Sequence, residues 1–156
     1  MQRKRANLVA VDMGYGHERA AYALRDLSGG DITIANNYPG IPKGDHRLWE
    51  TGRKYYEQIS RLQPLPVIGS TIFHALVDHW QEIAPFYPRR DLSAPSLQFR
   101  QVYHSVAKLR QGEHLIERLR TALPRGRKAL PFVSTFFLPA FAAEAFDYPG
   151  DIYVVI

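Results

Sequence analysis

The chain has 156 residues, an ordinary single domain's worth, with 46% hydrophobic and 22% charged residues, so wholesale disorder, collagen and disulfide-scaffold classes are excluded. Zero cysteines remove disulfides, thiolate metal sites, iron–sulfur clusters and cysteine nucleophiles together. The net charge of +5 is concentrated in residues 89–128, which hold ten Lys/Arg against three acids, while residues 129–156 hold three acids and neither Lys nor Arg.

Ala6 to Asp12 is a short, mostly apolar run that fits a strand buried on both faces. Met13 to His17 is a glycine-punctuated turn, and Glu18 to Leu27 reads as a helix stopped by Ser28-Gly29-Gly30. Asp31 to Asn37 is a second strand, ended by Tyr38-Pro39-Gly40 and Pro42-Lys43-Gly44, which completes a βαβ unit.

The middle of the chain is predicted to be helical. Asp45 is placed to cap a helix to about Leu62, with Leu48, Gly52, Tyr55, Tyr56, Ile59 and Leu62 at helical spacing before Pro64 and Pro66. Ser70 is placed to cap a second, whose stripe of Phe73, Leu76, Val77, Trp80, Ile83 and Ala84 ends at Pro85 and Pro88. Ser96 to Leu123 forms a third helical stretch kinked at Gly112, with Val102, Val106, Leu109, Leu115, Ile116 and Leu119 inward.

Strand character returns over Leu130 to Ser134. Thr135 or a neighbour caps a helix that has Pro139 near its first turn and runs to about Phe146, and Asp151 to Ile156 is a last strand after Tyr148-Pro149-Gly150. The order predicts an α/β fold: one domain over residues 1–156, with an open, mainly parallel Rossmann-like sheet and helices on both faces. The last strand runs to the final residue, at the sheet edge where α/β folds bind ligands, so the chain is expected to be cut from something longer.

The uncharged stretches Leu62 to Val77 and Ala129 to Ala143 fall short of the roughly 20 apolar residues of a membrane span and carry prolines. No export signal follows the basic start Arg3-Lys4-Arg5, and a cytoplasmic location is expected. The basic segment suits either a phosphate or anionic-lipid partner or the solvated face of a helix. It comes with no RNA- or DNA-binding motif, so a nucleic-acid partner is disfavoured.

The sharpest feature is Asp12-Met13-Gly14-Tyr15-Gly16-His17-Glu18, between the first strand and the first helix. Gly14 and Gly16 let the backbone turn sharply and approach a ligand, and the N–H groups of the helix start face any anion there. Ala20 and Ala21 let the helix lie close to the sheet. A dinucleotide fingerprint needs a small residue where Arg19 stands and an acid where Asn36 and Asn37 stand, and no Gly-x-x-x-x-Gly-Lys-Ser/Thr occurs. NAD binding and ordinary P-loop chemistry are therefore disfavoured. His46, His74, His79, His104 and His114 lack metal-ligand spacing, and no Gly-x-Ser-x-Gly is present.

A strand followed by Gly14-Tyr15-Gly16-His17 and a small-residue helix resembles the amino-terminal domain of GT-B glycosyltransferases, in the group containing monogalactosyldiacylglycerol synthase and the MurG-type enzymes. Phe132-Val133-Ser134-Thr135-Phe136-Phe137-Leu138-Pro139-Ala140 and Tyr148-Pro149-Gly150-Asp151-Ile152-Tyr153-Val154-Val155 look like the strand, helix and strand that close that domain. The resemblance implies a nucleotide-sugar-dependent transferase with a lipid or small-molecule acceptor. Its donor-binding carboxyl-terminal domain is not in this sequence, so the chain alone is expected to be inactive.

By the same resemblance the donor, UDP-linked, is a substrate, and neither a cofactor nor a metal is required. His17 is the implied catalytic base, because a neutral imidazole accepts a hydroxyl proton near physiological pH. Gly14, Tyr15, Gly16, Glu18, Ser134 and Thr135 are the implied substrate and diphosphate contacts. Lipid-modifying relatives suggest peripheral membrane contact through Trp80, Phe86, Tyr87, Arg89 and Arg90. Two alternatives stay open: a non-catalytic α/β module binding a phosphate-bearing ligand, and a sugar-nucleotide epimerase-like domain.

Overall fold

The computed structural model describes residues 5–62, 97–122 and 128–155. Four strands form one open sheet: β1 (Asn7–Ala10), β2 (Ile32–Ile34), β3 (Phe132–Ser134) and β4 (Ile152–Val154). They lie in the order β2-β1-β3-β4 and every pairing is parallel, with Leu8 beside both Ile32 and Val133, and Phe132 beside Ile152. The helices are α1 (Tyr15–Leu24), α2 (Lys43–Leu62), α3 (Leu97–Leu109), α4 (Glu113–Thr121) and α5 (Phe137–Ala145). The fold is thus α/β around an open parallel sheet.

The period-2 alternation of β1 sorts the core into two layers. Leu8 and Ala10 pack with Val133 and with Ala21 of α1 on one face. Val9 and Val11 pack on the other with Phe132, Val106 of α3, Leu115 and Ile116 of α4, and Ala142 and Ala143 of α5. Burial on both faces explains why β1 is apolar from Leu8 to Ala10 instead of alternating. The β1-α1-β2 crossover runs toward one sheet edge and β3-α5-β4 toward the other. Crossovers of one hand running in opposite directions put their helices on opposite faces, as α1 and α5 are here.

Several boundaries differ from the sequence reading. The helix after the glycine turn begins at Tyr15, three residues before Glu18, because Gly14 alone, at φ 117°, completes the turn; it ends in a 3₁₀ turn over Arg25–Leu27. Asp45 does not cap α2, which starts at Lys43; its carboxylate instead accepts the Gly112 N–H at 3.2 Å. The face that α2 buries holds Asp45 and Trp49, while Gly52 is exposed. The kink at Gly112 is a complete break between α3 and α4, since Arg110 and Gly112 both have positive φ, and Leu109, at the end of α3, is 53% exposed instead of inward. A methyl group on Gly112 would sit 2.9 Å from the Ala142 Cβ, so α5 crosses the break at a distance only glycine permits.

The expected helix over Ser70–Ala84 and the edge of Trp80, Phe86, Tyr87, Arg89 and Arg90 lie outside the described residues. Among the described residues no helix is long and apolar enough to cross a membrane. The basic side chains of α3, α4 and the break between them include Lys108, Arg110, Arg118 and Arg120, all exposed. Arg110 pairs with Glu113, and Arg118 donates to the Pro39 carbonyl and lies over the Tyr38 ring.

Candidate functional site

The strand order reverses between β1 and β3, which makes the space beyond their carboxyl ends the natural ligand crevice of the sheet. The glycine loop and the first turn of α1 border it from β1, and Thr135-Phe136 borders it from β3. Gly14 is the N-cap of α1 and no side chain caps the helix, so its first-turn N–H groups carry the positive end of the helix dipole uncovered. Gly14 is required by its φ of 117°. Gly16 has no such requirement, and a methyl group on either glycine would meet nothing within 4 Å. The space above both is open to an approaching group.

His17 and Thr135 are joined by two reciprocal hydrogen bonds across the crevice. The Thr135 hydroxyl donates to the His17 carbonyl at 2.9 Å, and His17 Nδ1 lies 2.8 Å from the Thr135 carbonyl oxygen. A carbonyl can only accept, so Nδ1 carries the proton, and in the neutral ring Nε2 presents a lone pair. The Phe136 ring packs edge-on to the imidazole with centroids 4.8 Å apart, which fixes the ring plane. This arrangement, a backbone oxygen behind one nitrogen and a basic lone pair on the other, is what a general base needs.

Ser134 and Thr135 are brought to the crevice as the sequence reading places them, but their hydroxyls are turned inward. Ser134 is fully buried; its hydroxyl donates to the Phe136 carbonyl at 2.6 Å and accepts the Phe136 N–H at 3.3 Å. Thr135 is buried with its hydroxyl committed to His17. Ser134 shapes the turn after β3, and Thr135 holds the histidine. Glu18 is exposed in the first turn of α1, where its charge complements the helix dipole and opposes a second anion. Tyr15 contributes its backbone as the first helical residue.

The β1–β2 side holds residues that the sequence reading did not assemble. The Asn36 side chain bridges the ends of β1 and β2, accepting the Asp12 N–H at 2.8 Å and donating to the Asp12 carbonyl at 3.0 Å. Beside this clamp is an open cleft of about 170 Å³, lined by Asp12, Asn36 and Asn37 from the strand ends and by His46, Trp49, Glu50 and Arg53 from α2. The four α2 residues stand at i, i+3, i+4 and i+7, one helix face. That spacing is visible in the sequence, on a face beside the helix's apolar stripe. Trp49 is 5% exposed, and its Nε1–H is the one buried side-chain donor or acceptor without a partner among the described residues. Such an orphan costs about 1–3 kcal/mol.

A separate polar cluster, behind the glycine loop's face of the sheet, ties the β2–α2 connection to α4. Burial and the Asp45 charge push the Tyr38 hydroxyl up to about 12, against the pull of Arg118, so it stays protonated, and it shares a hydrogen bond of 2.9 Å with His114 Nδ1. No group of three or more His, Asp or Glu able to hold a metal occurs among the described residues. No protein-family model, curated protein or solved structure matches the chain.

Proposed function

We infer that the chain is the acceptor-side domain of a GT-B-type glycosyltransferase, in which the crevice between β1 and β3 brings a nucleotide-sugar donor to an acceptor hydroxyl. The observation that carries this reading is the fixed tautomer of His17, beside an uncapped helix start at the point where the strand order reverses. In this scheme Nε2 takes the hydroxyl proton as the acceptor oxygen bonds to the anomeric carbon. The bond from that carbon to the diphosphate breaks, and the nucleoside diphosphate leaves. The Thr135 carbonyl, already accepting from Nδ1, steadies the imidazolium that forms. The first-turn N–H groups of α1, with Gly16 leaving them room, offset the growing charge of the leaving diphosphate. Thr135 and Ser134 act here as positioning residues.

The test is nuclear magnetic resonance titration with uridine diphosphate. The amide signals of Tyr15, Gly16 and His17 are expected to move in a saturable way, and Gly16→Val, which fills the open space, is expected to abolish the movement. His17 is expected to show a protonated Nδ1 and a bare Nε2 when neutral. In an active preparation His17→Ala is expected to lower turnover by roughly 10²–10⁴-fold. Unmoved loop amides would remove the diphosphate role, and unchanged turnover in His17→Ala would remove the base.

A further inference from the structure

We propose that the free edge of β4 is a self-association surface, on which a second copy of this chain pairs its own β4 antiparallel about a two-fold axis at Val154. The backbone of β4 has two sides. The Asp151 carbonyl accepts the Phe132 N–H and the Val155 N–H donates to the Ser134 carbonyl, both at 2.8 Å, so residues 151, 153 and 155 turn their amides toward β3. The intervening Ile152 and Val154 turn theirs to the sheet edge, and among the described residues nothing pairs with them there. Outward donors and acceptors on an extended strand are a template for another strand.

The side chains leave that template open. Tyr153, Val154 and Val155 are 53%, 43% and 39% exposed, and residues 152–156 include neither a charge nor a proline, two of the devices that block edge pairing. At the opposite edge β2 is half-buried throughout and has Thr33 at its centre. A second copy is the occupant this strand fits. Antiparallel pairing about a two-fold axis is isologous, so each copy offers the donors and acceptors that the other lacks. With Val154 on the axis, each Val154 N–H reaches the Val154 carbonyl of the other copy, and each Tyr153 lies opposite Val155 of the other copy, an aromatic and β-branched pair. The two Asp151 carboxylates fall outside the pairing, about 20 Å apart along the strand direction, so no like charges meet. β3 separates this edge from the strand that carries the glycine loop, and the assignment stands independently of the transferase reading.

The test is sedimentation of the full chain from about 10 µM to 1 mM, the range expected of an interface with few residue pairs. Amide exchange is followed residue by residue at both ends of that range. A dimer is expected, with an alternating signature: the Val154 amide gains protection as concentration rises, while those of Tyr153 and Val155, which face β3, keep theirs unchanged. Val154→Pro removes an N–H that β3 does not use, so the sheet is expected to remain. The axis doubles the loss to two hydrogen bonds, and the dissociation constant is expected to rise about a hundredfold. Val154→Lys sets like charges face to face and is expected to weaken the dimer by about tenfold, less at high salt. A monomer across the whole range, a dimer in which the Val154 amide gains no protection, or a dimer unchanged by Val154→Lys would each overturn the assignment.

Discussion

Gly112→Ala places one methyl group where the fold has no room, and its cost can be worked from the geometry. Gly112 has φ 82°, where a side chain costs about 1–2 kcal/mol. The added Cβ would stand 2.9 Å from the buried Ala142 Cβ, against an ordinary carbon separation of about 3.5–4.0 Å, so α5 must retreat at about 1–3 kcal/mol. Stiffening the unfolded chain returns about 0.4–1 kcal/mol. The net loss is about 1–4.6 kcal/mol, or roughly 2–18 °C in melting temperature for a chain of this length. Gly52→Ala is the matched control: Gly52 is exposed inside α2 with nothing within 4 Å of its added Cβ, so the same substitution there is expected to stabilise by up to about 1 kcal/mol. Urea unfolding of both variants, and of Gly112→Ala with Ala142→Gly, closes the comparison. Opposite signs at the two glycines and a coupling above about 1 kcal/mol between Gly112 and Ala142 are expected. A Gly112→Ala variant as stable as the parent, or effects at 112 and 142 that simply add, would refute the close-approach reasoning.

Two further outcomes follow from buried polar groups. Burial raises the Asp45 carboxyl above the usual carboxylate range, outweighing the Gly112 N–H and His114, which lower it. The folded state therefore holds this proton more tightly than the unfolded chain. The associated stability is fully present below the ordinary carboxylate range and is lost as pH rises through Asp45's higher value. Asp45→Asn keeps an oxygen for the Gly112 N–H, so it is expected to flatten this part of the stability–pH curve with no loss at neutral pH. A variant with an unchanged acid-side slope in urea titrations would count against that reading. Tyr148 presents the second case: its hydroxyl accepts from Asn7 Nδ2 and donates to the Leu130 carbonyl, both at 2.7 Å. Tyr148→Phe leaves the buried Asn7 amide unpaired and is expected to cost about 1–3 kcal/mol in the same assay, whereas a neutral result would mean that Asn7 finds another partner.

The elements legible in the sequence are those whose signal is local. The βαβ unit, the glycine turn, the return to strand at Phe132 and the helix–turn–strand after it rest on apolar runs and on Gly and Pro punctuation, and the sheet contains all four expected strands. Positions decided by distant partners were not legible. Asp45 has every local mark of a helix cap, yet its carboxylate is drawn to a backbone N–H 67 residues away. Ser134 and Thr135 look like ligand contacts at a strand end, but nothing nearby in sequence tells that the Thr135 hydroxyl meets a carbonyl 118 residues earlier. Gly112 is visible as a weak point in a helix. That it breaks the helix outright depends on the close crossing of Ala142, which the one-dimensional pattern does not contain. The α2 cleft face was hidden for a related reason: Trp49 is buried in the core cluster with Val9, Val11 and Ala35, partners that the helix's own periodicity does not name.

The reciprocal bonds between His17 and Thr135 have a consequence for motion. Glycine loops at ligand sites usually belong to the part of a protein that opens most easily, and ordering them on binding costs about 1–2 kcal/mol per residue immobilised. Here the first turn of α1 cannot swing outward unless two hydrogen bonds break and the turn between β3 and α5 follows. The ordering is already complete when the sheet forms. A ligand entering the crevice meets a rigid rim in its binding geometry, so its capture is limited by encounter and not by loop closure, and amide exchange in this loop is expected to be as slow as in the sheet itself.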